Sequence, residues 1–131
     1  MRVFLDTNVF VAAVTSEAEH GPVAVELLDE DHEFVTSLLN LMEMRTVLTK
    51  KRRLETERAD GIEDEVRSGV EVVVPDASDL RDANALQRET YLYPMGCVIL
   101  ACADGCDATL ASFDAELVEN GAVTPQSVVE D

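Results

Sequence analysis

The sequence predicts an α/β fold with three layers, α/β/α, around a central parallel sheet of four to five strands. Short runs rich in β-branched and aromatic residues alternate with longer helical segments along the whole chain. Such alternation is typical of parallel sheets, because each crossover carries its helix onto one face of the sheet. The length of 131 residues fits one domain, and we expect a single domain over residues 1–131.

The first half of the chain predicts two strand–helix units with further helices. Residues 2–5 form a short apolar strand, after which Asp6 or Asn8 caps a helix that runs to Val14. Pro22 suits the first turn of a second helix, which extends to about residue 28. The remaining elements are a strand at 34–36, a helix from Leu38 to about Lys50 capped by Ser37, and a helix over 54–67.

The second half begins with the strongest strand prediction of the chain. Valines dominate residues 70–74, and Pro75 ends the run. Asp76 or Ser78 then caps a helix over about 79–89. A helix over 95–104 follows Pro94, and a strand at 108–111 and a short helix near Asp114 come next. Residues 122–123 are a candidate for the fifth strand of the sheet.

The charge balance is strongly acidic, with 27 acidic residues against 10 basic ones and a net charge of −17. Such a surface repels nucleic acid at low salt. Adaptation to a very salty cytoplasm is an alternative explanation, because a Debye length of about 3 Å at molar salt screens long-range repulsion. We favour this halophilic explanation, since the acids are spread along the chain and form no tail.

Half of the basic residues lie in one short segment, and either solvation of a helix end or contact with nucleic-acid phosphates explains them. They are Arg45, Lys50, Lys51, Arg52 and Arg53.

Other classes of protein are disfavoured by composition. No stretch approaches the roughly 18 apolar residues of a membrane span, and no signal-peptide pattern opens the chain, so we expect a cytoplasmic protein. The three cysteines match neither a zinc-binding pair nor a disulfide framework, and we interpret them as small apolar residues. His20 and His32 are expected in loops outside any catalytic site.

Three carboxylates stand out by their positions. Asp6 directly follows the first strand, and Asp114 follows the 108–111 strand after two residues, so both belong at the carboxyl edge of the sheet, where ligands bind. Each also stands at a helix start, where capping is an alternative role. Glu43 has apolar neighbours on its helix. Two interpretations are open: a partly exposed residue at the edge of the apolar face, or a functional carboxylate whose burial a metal ion would compensate. Together they make an oxygen-ligand set suited to Mg²⁺ or Mn²⁺.

The motifs around these acids resemble those of the PIN-domain family over nearly the whole chain. The three matching segments are Met1-Arg-Val-Phe-Leu-Asp6-Thr7-Asn8-Val9, Ser37-Leu-Leu-Asn-Leu-Met-Glu43-Met-Arg-Thr-Val-Leu48 and Ala108-Thr-Leu-Ala-Ser112-Phe113-Asp114. The resemblance implies that the metal ligands and catalytic residues are Asp6, Glu43 and Asp114. It also implies support by hydrogen bonds from Thr7, Asn8 and Ser112.

One position departs from the family pattern. Members of the family usually carry an aspartate at the start of the helix that leads to the last motif, where this chain has Gly96. Asp104 does not replace it, being eight residues further along the helix and roughly 12 Å away. Asp107 precedes its strand and belongs at the other end of the sheet. A three-acid site is expected to hold a water-rich Mg²⁺ more weakly.

The resemblance implies a metal-dependent endoribonuclease, similar to the VapC toxins of toxin–antitoxin pairs. The implied cofactor is Mg²⁺ or Mn²⁺, and the implied partners are an RNA substrate, an antitoxin protein and a second copy of the chain. A free-standing processing nuclease fits the same motifs. Two other classes stay open: a PIN fold without catalysis that binds RNA or protein, which Gly96 favours, and a response-regulator-type domain, which lacks the lysine expected after a late strand.

Overall fold

The computed structural model describes residues 1–130, so Asp131, the last residue of the predicted domain, lies outside the described residues. The strands are Arg2–Leu5 (β1), Glu33–Ser37 (β2), Glu71–Val73 (β3) and Thr109–Ala111 (β4). The helices are Thr7–Val14 (α1), Gly21–Asp29 (α2), Leu38–Thr46 (α3), Thr56–Gly69 (α4), Ala77–Thr90 (α5), Pro94–Gly105 (α6), Ala115–Glu119 (α7) and Pro125–Glu130 (α8). A π-helical turn, Val47–Lys51, continues α3.

The sheet is parallel throughout, with the strand order β3-β2-β1-β4. Phe4 in the central strand β1 pairs with Val35 of β2 and with Leu110 of β4. The backbone N–H of Asp6 extends the second ladder by donating to the carbonyl of Ala111 at 3.1 Å. The predicted parallel α/β fold is therefore confirmed, and the carboxyl ends of β1, β2 and β4 share one edge.

Alternate residues of β1 face two separate apolar cores, one on each side of the sheet. Val3 and Leu5 pack with residues of α1, α2, α3 and α8, whereas Phe4 packs with residues of α5, α6 and α7. Successive strand residues point to opposite faces, so even a four-residue strand joins both layers. Burial of a side chain as large as Phe4 or Leu5 contributes roughly 1.5–3 kcal/mol.

The cysteines are free thiols of the second core and its border. Cys97 and Cys102 are buried and Cys106 is partly buried. Burial, reinforced by the neighbouring Cys106, raises the pKa of the Cys102 thiol to about 12. A thiol that stays protonated at neutral pH is a poor nucleophile and a poor metal ligand.

Two strand predictions need correction. The 70–74 run forms only Glu71–Val73, because β3 lies at the edge of the sheet and gains a ladder on one side alone. The predicted fifth strand at 122–123 is reduced to one parallel bridge between Ala111 and Val123. Pro125, which has no N–H to donate, begins α8 two residues later, and α8 itself was not predicted.

The helix predictions differ mainly at their ends. Ser37 caps α3 as predicted, accepting the N–H of Asn40 at 3.1 Å, but regular α-helix ends at Thr46 and gives way to the π-helical turn. The next helix begins at Thr56, two residues later than predicted. Within residues 1–130, no helix is long and apolar enough to cross a membrane.

Screening should stabilise a protein with this charge. We expect the melting temperature to rise from about 0.1 M to molar KCl, because the Debye length falls from about 10 Å to about 3 Å. Asp29, Glu89 and Glu119 are exposed in the last turns of their helices, where the helix dipole disfavours negative charge. The variant Asp29→Asn/Glu89→Gln/Glu119→Gln should therefore gain a few tenths of a kcal/mol per site at low salt and respond less to KCl. Circular dichroism melts of both proteins provide the measurement, and a melting temperature indifferent to KCl would remove the halophilic explanation.

Candidate functional site

A cleft of about 350 Å³ opens at the carboxyl edge of the sheet, beyond the ends of β1 and β4. Four carboxylates line it, and among residues 1–130 no lysine or arginine does so. The acids are Asp6, Glu43, Asp114 and Glu116. Apolar side chains complete the walls, among them Val11, Val47, Leu92, Ile99 and Leu117. The cleft thus concentrates negative charge against a largely apolar lining.

Asp6 is the buried member of this group, with 6% of its surface exposed. Its Oδ1 accepts hydrogen bonds from the backbone N–H of Thr7 at 2.8 Å and from the side-chain amide of Asn40 at 3.1 Å. Its Oδ2 accepts the hydroxyl proton of Ser112 at 2.7 Å. A carboxylate has about four acceptor positions, so one remains for a further ligand.

Burial is the main reason that the pKa of the Asp6 carboxyl lies above its usual value. The hydrogen bonds from Ser112 and the Thr7 backbone act in the opposite direction, and repulsion by Glu43 and Asp114 raises the pKa further. No lysine or arginine of residues 1–130 lines the cleft to compensate the charge of ionised Asp6, although its hydrogen bonds are in place.

Ser112 joins the two strand-end segments. Its buried hydroxyl donates to Asp6 and accepts the side-chain amide of Asn8 at 3.1 Å and the backbone N–H of Asp114 at 3.0 Å. The other amide atom of Asn8, Oδ1, accepts the N–H of Phe113 at 3.1 Å. The loop after β4 is therefore fixed to the start of α1 by side-chain bonds.

Asn40 is a member of the site that sequence reasoning missed. It is fully buried, and its amide donates both to Asp6 and to the Thr7 hydroxyl, the latter at 3.1 Å. Ser37 orients it by donating to Asn40 Oδ1 at 2.5 Å. A signal existed in the sequence, because Asn40 is one turn before the apolar Met44 on the buried face of α3, where a polar side chain needs partners.

Glu43 lies on an exposed flank of α3, since the buried face of this helix passes through Asn40, Leu41 and Met44. Of the two interpretations of its apolar neighbours, the structure therefore shows the exposed edge residue. The argument from the free energy of burying a carboxylate does not apply to Glu43. Its place in the lining of the cleft remains the reason to connect it with Asp6.

Asp114 and Glu116 stand at the beginning of α7. Asp114 caps this helix by accepting the N–H of Glu116 at 2.9 Å, and Asp6 likewise accepts a backbone N–H at the start of α1. Both aspartates therefore combine a capping role with a position in the cleft. Glu116, a first-turn acid that the sequence analysis did not single out, adds a fourth carboxylate to the lining.

Gly96 also lines the cleft, at the beginning of α6. A Cβ atom at this position would meet only the tip of the Leu117 side chain, at 3.2 Å. A side chain here would therefore enter the cleft after a small shift of a flexible leucine, and a carboxyl group at this position would join the other acids.

A second group of potential ligands lies outside the cleft. Single ligand atoms of Glu17, Glu19 and His20 lie within 4.8 Å of one another. The predicted loop position of His20 is the turn before α2, where the ring stacks on Phe113 with centroids 4.1 Å apart. His20 thus supports the segment between Ser112 and Asp114 without lining the cleft, and metal-binding experiments must distinguish these two places.

The basic segment begins beside the cleft. Lys50, Lys51, Arg52 and Arg53 are exposed at the end of the π-helical turn, whose first residue, Val47, lines the cleft. Arg45 forms an ion pair with Asp60 of α4. Lys50, Lys51, Arg52 and Arg53 are therefore exposed cations, whereas Arg45 already has an acidic partner.

A parallel α/β domain with carboxylates gathered at the ends of β1 and β4 is the arrangement that the resemblance to the PIN-domain family led us to expect. The family model of the PIN domain matches residues 3–122. The chain belongs to the PIN domain family.

Solved structures with the same fold include proteins of toxin–antitoxin systems. The chain is similar to a toxin–antitoxin complex from Klebsiella pneumoniae, with 20% identity, a TM-score of 0.75 and coverage of 94% of this chain and 97% of that one. It is also similar to the VapC20 toxin of Mycobacterium tuberculosis, which cleaves the sarcin-ricin loop, with 22% identity, a TM-score of 0.76 and coverage of 92% and 96%. A third similar structure is VapBC2 of Rickettsia felis bound to a promoter DNA fragment. The identity is 20%, the TM-score is 0.73, and the match covers 92% of this chain and 93% of that one. No curated protein sequence matches significantly.

The bonds of Asn40 should be measurable as stability. Asn40→Ala leaves Asp6 one donor short and the Ser37 hydroxyl without its acceptor, so we expect the free energy of unfolding to fall by about 1–3 kcal/mol. The matched control is Asn84→Ala at an exposed position on α5. This variant should change the free energy of unfolding by less than about 0.5 kcal/mol. Urea denaturation compares the two, and equal effects would show that the Asn40 bonds are not needed to hold Asp6.

Proposed function

We propose that this protein is a metal-dependent endoribonuclease that hydrolyses RNA phosphodiester bonds. One observation carries the proposal: the buried carboxylate of Asp6 faces a cleft that Glu43 and Asp114 also line and no basic side chain of residues 1–130 enters. Membership of the PIN domain family supports nuclease chemistry. The similarity to a toxin that cleaves the sarcin-ricin loop supports RNA as the substrate.

The residues present fit Mg²⁺ or Mn²⁺. All three proposed ligands, Asp6, Glu43 and Asp114, offer carboxylate oxygens, the donors that these hard cations prefer. Asp6 keeps an acceptor position after its three hydrogen bonds, and a cation would offset the burial that raises the pKa of this carboxyl. The exposed Glu43 and Asp114 leave room for the waters that Mg²⁺ retains.

In the proposed mechanism, a divalent ion bound in the cleft would lower the pKa of an attacking water and would neutralise negative charge on the phosphate. Asp6 and Asp114 would hold this ion from the ends of β1 and β4, and Ser112 joins the two segments by its hydrogen bonds to both. Glu43 either completes the ligand set or accepts a proton from the attacking water across the cleft. The water oxygen bonds to phosphorus as the bond to the leaving oxygen breaks, and the leaving oxygen takes up a proton from solvent water, which balances the proton lost by the attacking water.

The basic segment is proposed to contact flanking phosphates. Along α3 and its π-helical continuation, Lys50 lies seven residues after Glu43, roughly 10 Å at the rise of an α-helix. This distance supports a role for Lys50, Lys51, Arg52 and Arg53 in contacts with phosphates next to the scissile one. Arg45 joins them only if a phosphate displaces Asp60.

We further propose an antitoxin partner, because structures with this fold include toxin–antitoxin complexes, and a homodimer, which the family resemblance implies. A second candidate function is a PIN fold that binds RNA without cutting it. Gly96 favours this alternative, because it leaves the wall formed by α6 without an acid. Cleavage assays separate the two functions.

Replacement of Asp6 tests the nuclease directly. Asp6→Asn removes the buried charge that holds the ion, so we expect no detectable cutting of structured RNAs in molar KCl with Mn²⁺, where the wild type cuts and chelator stops it. The matched control is Asp107→Asn: Asp107 is exposed, far from the cleft lining, and has a positive φ of 54°, which asparagine tolerates. It should cut like the wild type. Unchanged turnover in Asp6→Asn would refute the proposed site.

Restoring an acid at position 96 tests the weakness of the site. Gly96→Asp adds a carboxylate to the cleft wall, so we expect tighter Mn²⁺ binding by calorimetry and faster cutting. Gly96→Asn controls for shape, and Gly61→Asp adds the same charge on α4 at a position with no neighbour within 4 Å. Equal Mn²⁺ affinity in all three variants would count against the position of Gly96 in the metal site. Cutting by Gly96→Asp alone would identify the natural protein as the binding module.

A further inference from the structure

Both tyrosines of the chain are exposed beside the cleft. Tyr91 has 92% and Tyr93 83% of its surface exposed, and Tyr93 lines the cleft together with the exposed Met95. Leu92 between them is buried and contributes to the cleft wall. Single exposed apolar residues are common, but aromatic rings grouped at the rim of a charged cleft are typical of a surface that binds something.

The backbone holds these rings on a short, fixed bridge between α5 and α6. Tyr91 ends α5 in the left-handed conformation, with φ 59° and its N–H donated to the Gln87 carbonyl at 3.2 Å. Glycine or asparagine usually occupies this position, so a tyrosine here is unfavourable for the helix end itself. Pro94 begins α6 directly after Tyr93, and its ring fixes the backbone there. A backbone fixed in this way has little conformational freedom to lose on binding.

The charge of the cleft favours an uncharged contact. With four acids and no basic side chain of residues 1–130 in its lining, the cleft itself repels the phosphates that flank a cleavage site. Stacking of nucleobases on aromatic rings needs no positive charge and is independent of base sequence. Only Leu92 separates Tyr91 from Tyr93, so their Cα atoms are at most about 7 Å apart and the rings can contact neighbouring bases.

We propose that Tyr91 and Tyr93 form a stacking platform for unpaired bases of RNA next to the scissile phosphate. The platform presupposes the ribonuclease activity proposed above and narrows its substrate to single-stranded segments or loops. Paired bases in a duplex are stacked on one another and do not offer their faces to a side chain.

The composition of the chain supplies a direct probe of this platform. The protein has two tyrosines and no tryptophan, so its intrinsic fluorescence comes from Tyr91 and Tyr93. The ligand is a short 2′-O-methyl oligouridine, which resists cutting, titrated in molar KCl with chelator. We expect the single strand to quench the emission and the same strand annealed to its complement to leave it unchanged.

Variants assign the binding to the rings. Tyr93→Ala should weaken the affinity for the single strand by roughly fivefold to 150-fold, as expected for one lost stack, whereas Tyr93→Phe should retain it. Tyr91→Gly should also weaken binding while keeping or raising the melting temperature, because glycine suits the left-handed position. Leu80→Ala, an exposed site on α5 far from the cleft, is the matched control and should bind like the wild type.

The outcomes separate the platform from the nuclease. The double variant Tyr91→Gly/Tyr93→Ala has no tyrosine left, so its affinity is measured by the fluorescence anisotropy of a dye-labelled strand. Full affinity in this variant, with a wild-type KM for RNA that the Mn²⁺-loaded protein cuts, overturns the platform and leaves the nuclease standing. Quenching by the single strand in a protein that cuts no RNA overturns the nuclease and retains the platform as an RNA-binding surface. Emission that changes with protein concentration alone, together with a double variant that becomes monomeric, overturns the platform and assigns the rings to contact between copies of the chain.

Discussion

The arrangement of the site depends on one buried carboxylate at the end of the central strand. Asp6 lies where β1 ends, and its hydrogen-bond donors come from three other segments: the start of α1, the first turn of α3 and the loop after β4. Each donor has further bonds, so Ser112 also holds Asn8 and Asp114, and Asn40 also holds Thr7 and Ser37. The carboxylate thus acts as the common acceptor that brings both strand ends and α3 to one cleft.

This carboxylate works against the stability of the metal-free protein at neutral pH. Burial raises the pKa of Asp6 above the ordinary value of about 3.9, so the protonated form is the one that folding favours. Its contribution to stability is complete below the ordinary pKa and is lost as the pH rises through the folded-state pKa. A divalent cation would offset this loss, because it binds the ionised form. The burial of Asp6 therefore explains both the unfavourable charge of the metal-free protein and the suitability of this carboxylate as a proposed metal ligand.

Strand ends were readable from the sequence, whereas side-chain partners were not. Asp6 and Asp114 could be assigned to one edge because apolar strands directly precede them, and parallel strands share their carboxyl edge whatever their order. The helical spacing could have marked Asn40 as a polar residue on the buried face of α3, but its partners depend on the approach of α3 to β1, a tertiary contact that no local pattern encodes. The valine run after Gly69 overstated β3 for a related reason: strand propensity does not reveal that a strand lies at an edge.

The most direct test of the account locates the ion itself. Crystals of the protein grown or soaked in Mn²⁺ should give an anomalous peak inside the cleft, bounded by the carboxylates of Asp6, Glu43 and Asp114, and the peak should vanish in Asp6→Asn. Manganese found only beside Glu17, Glu19 and His20, or no peak in the cleft of wild-type protein at saturating Mn²⁺, would contradict the claim that Asp6 is buried to hold a metal ion.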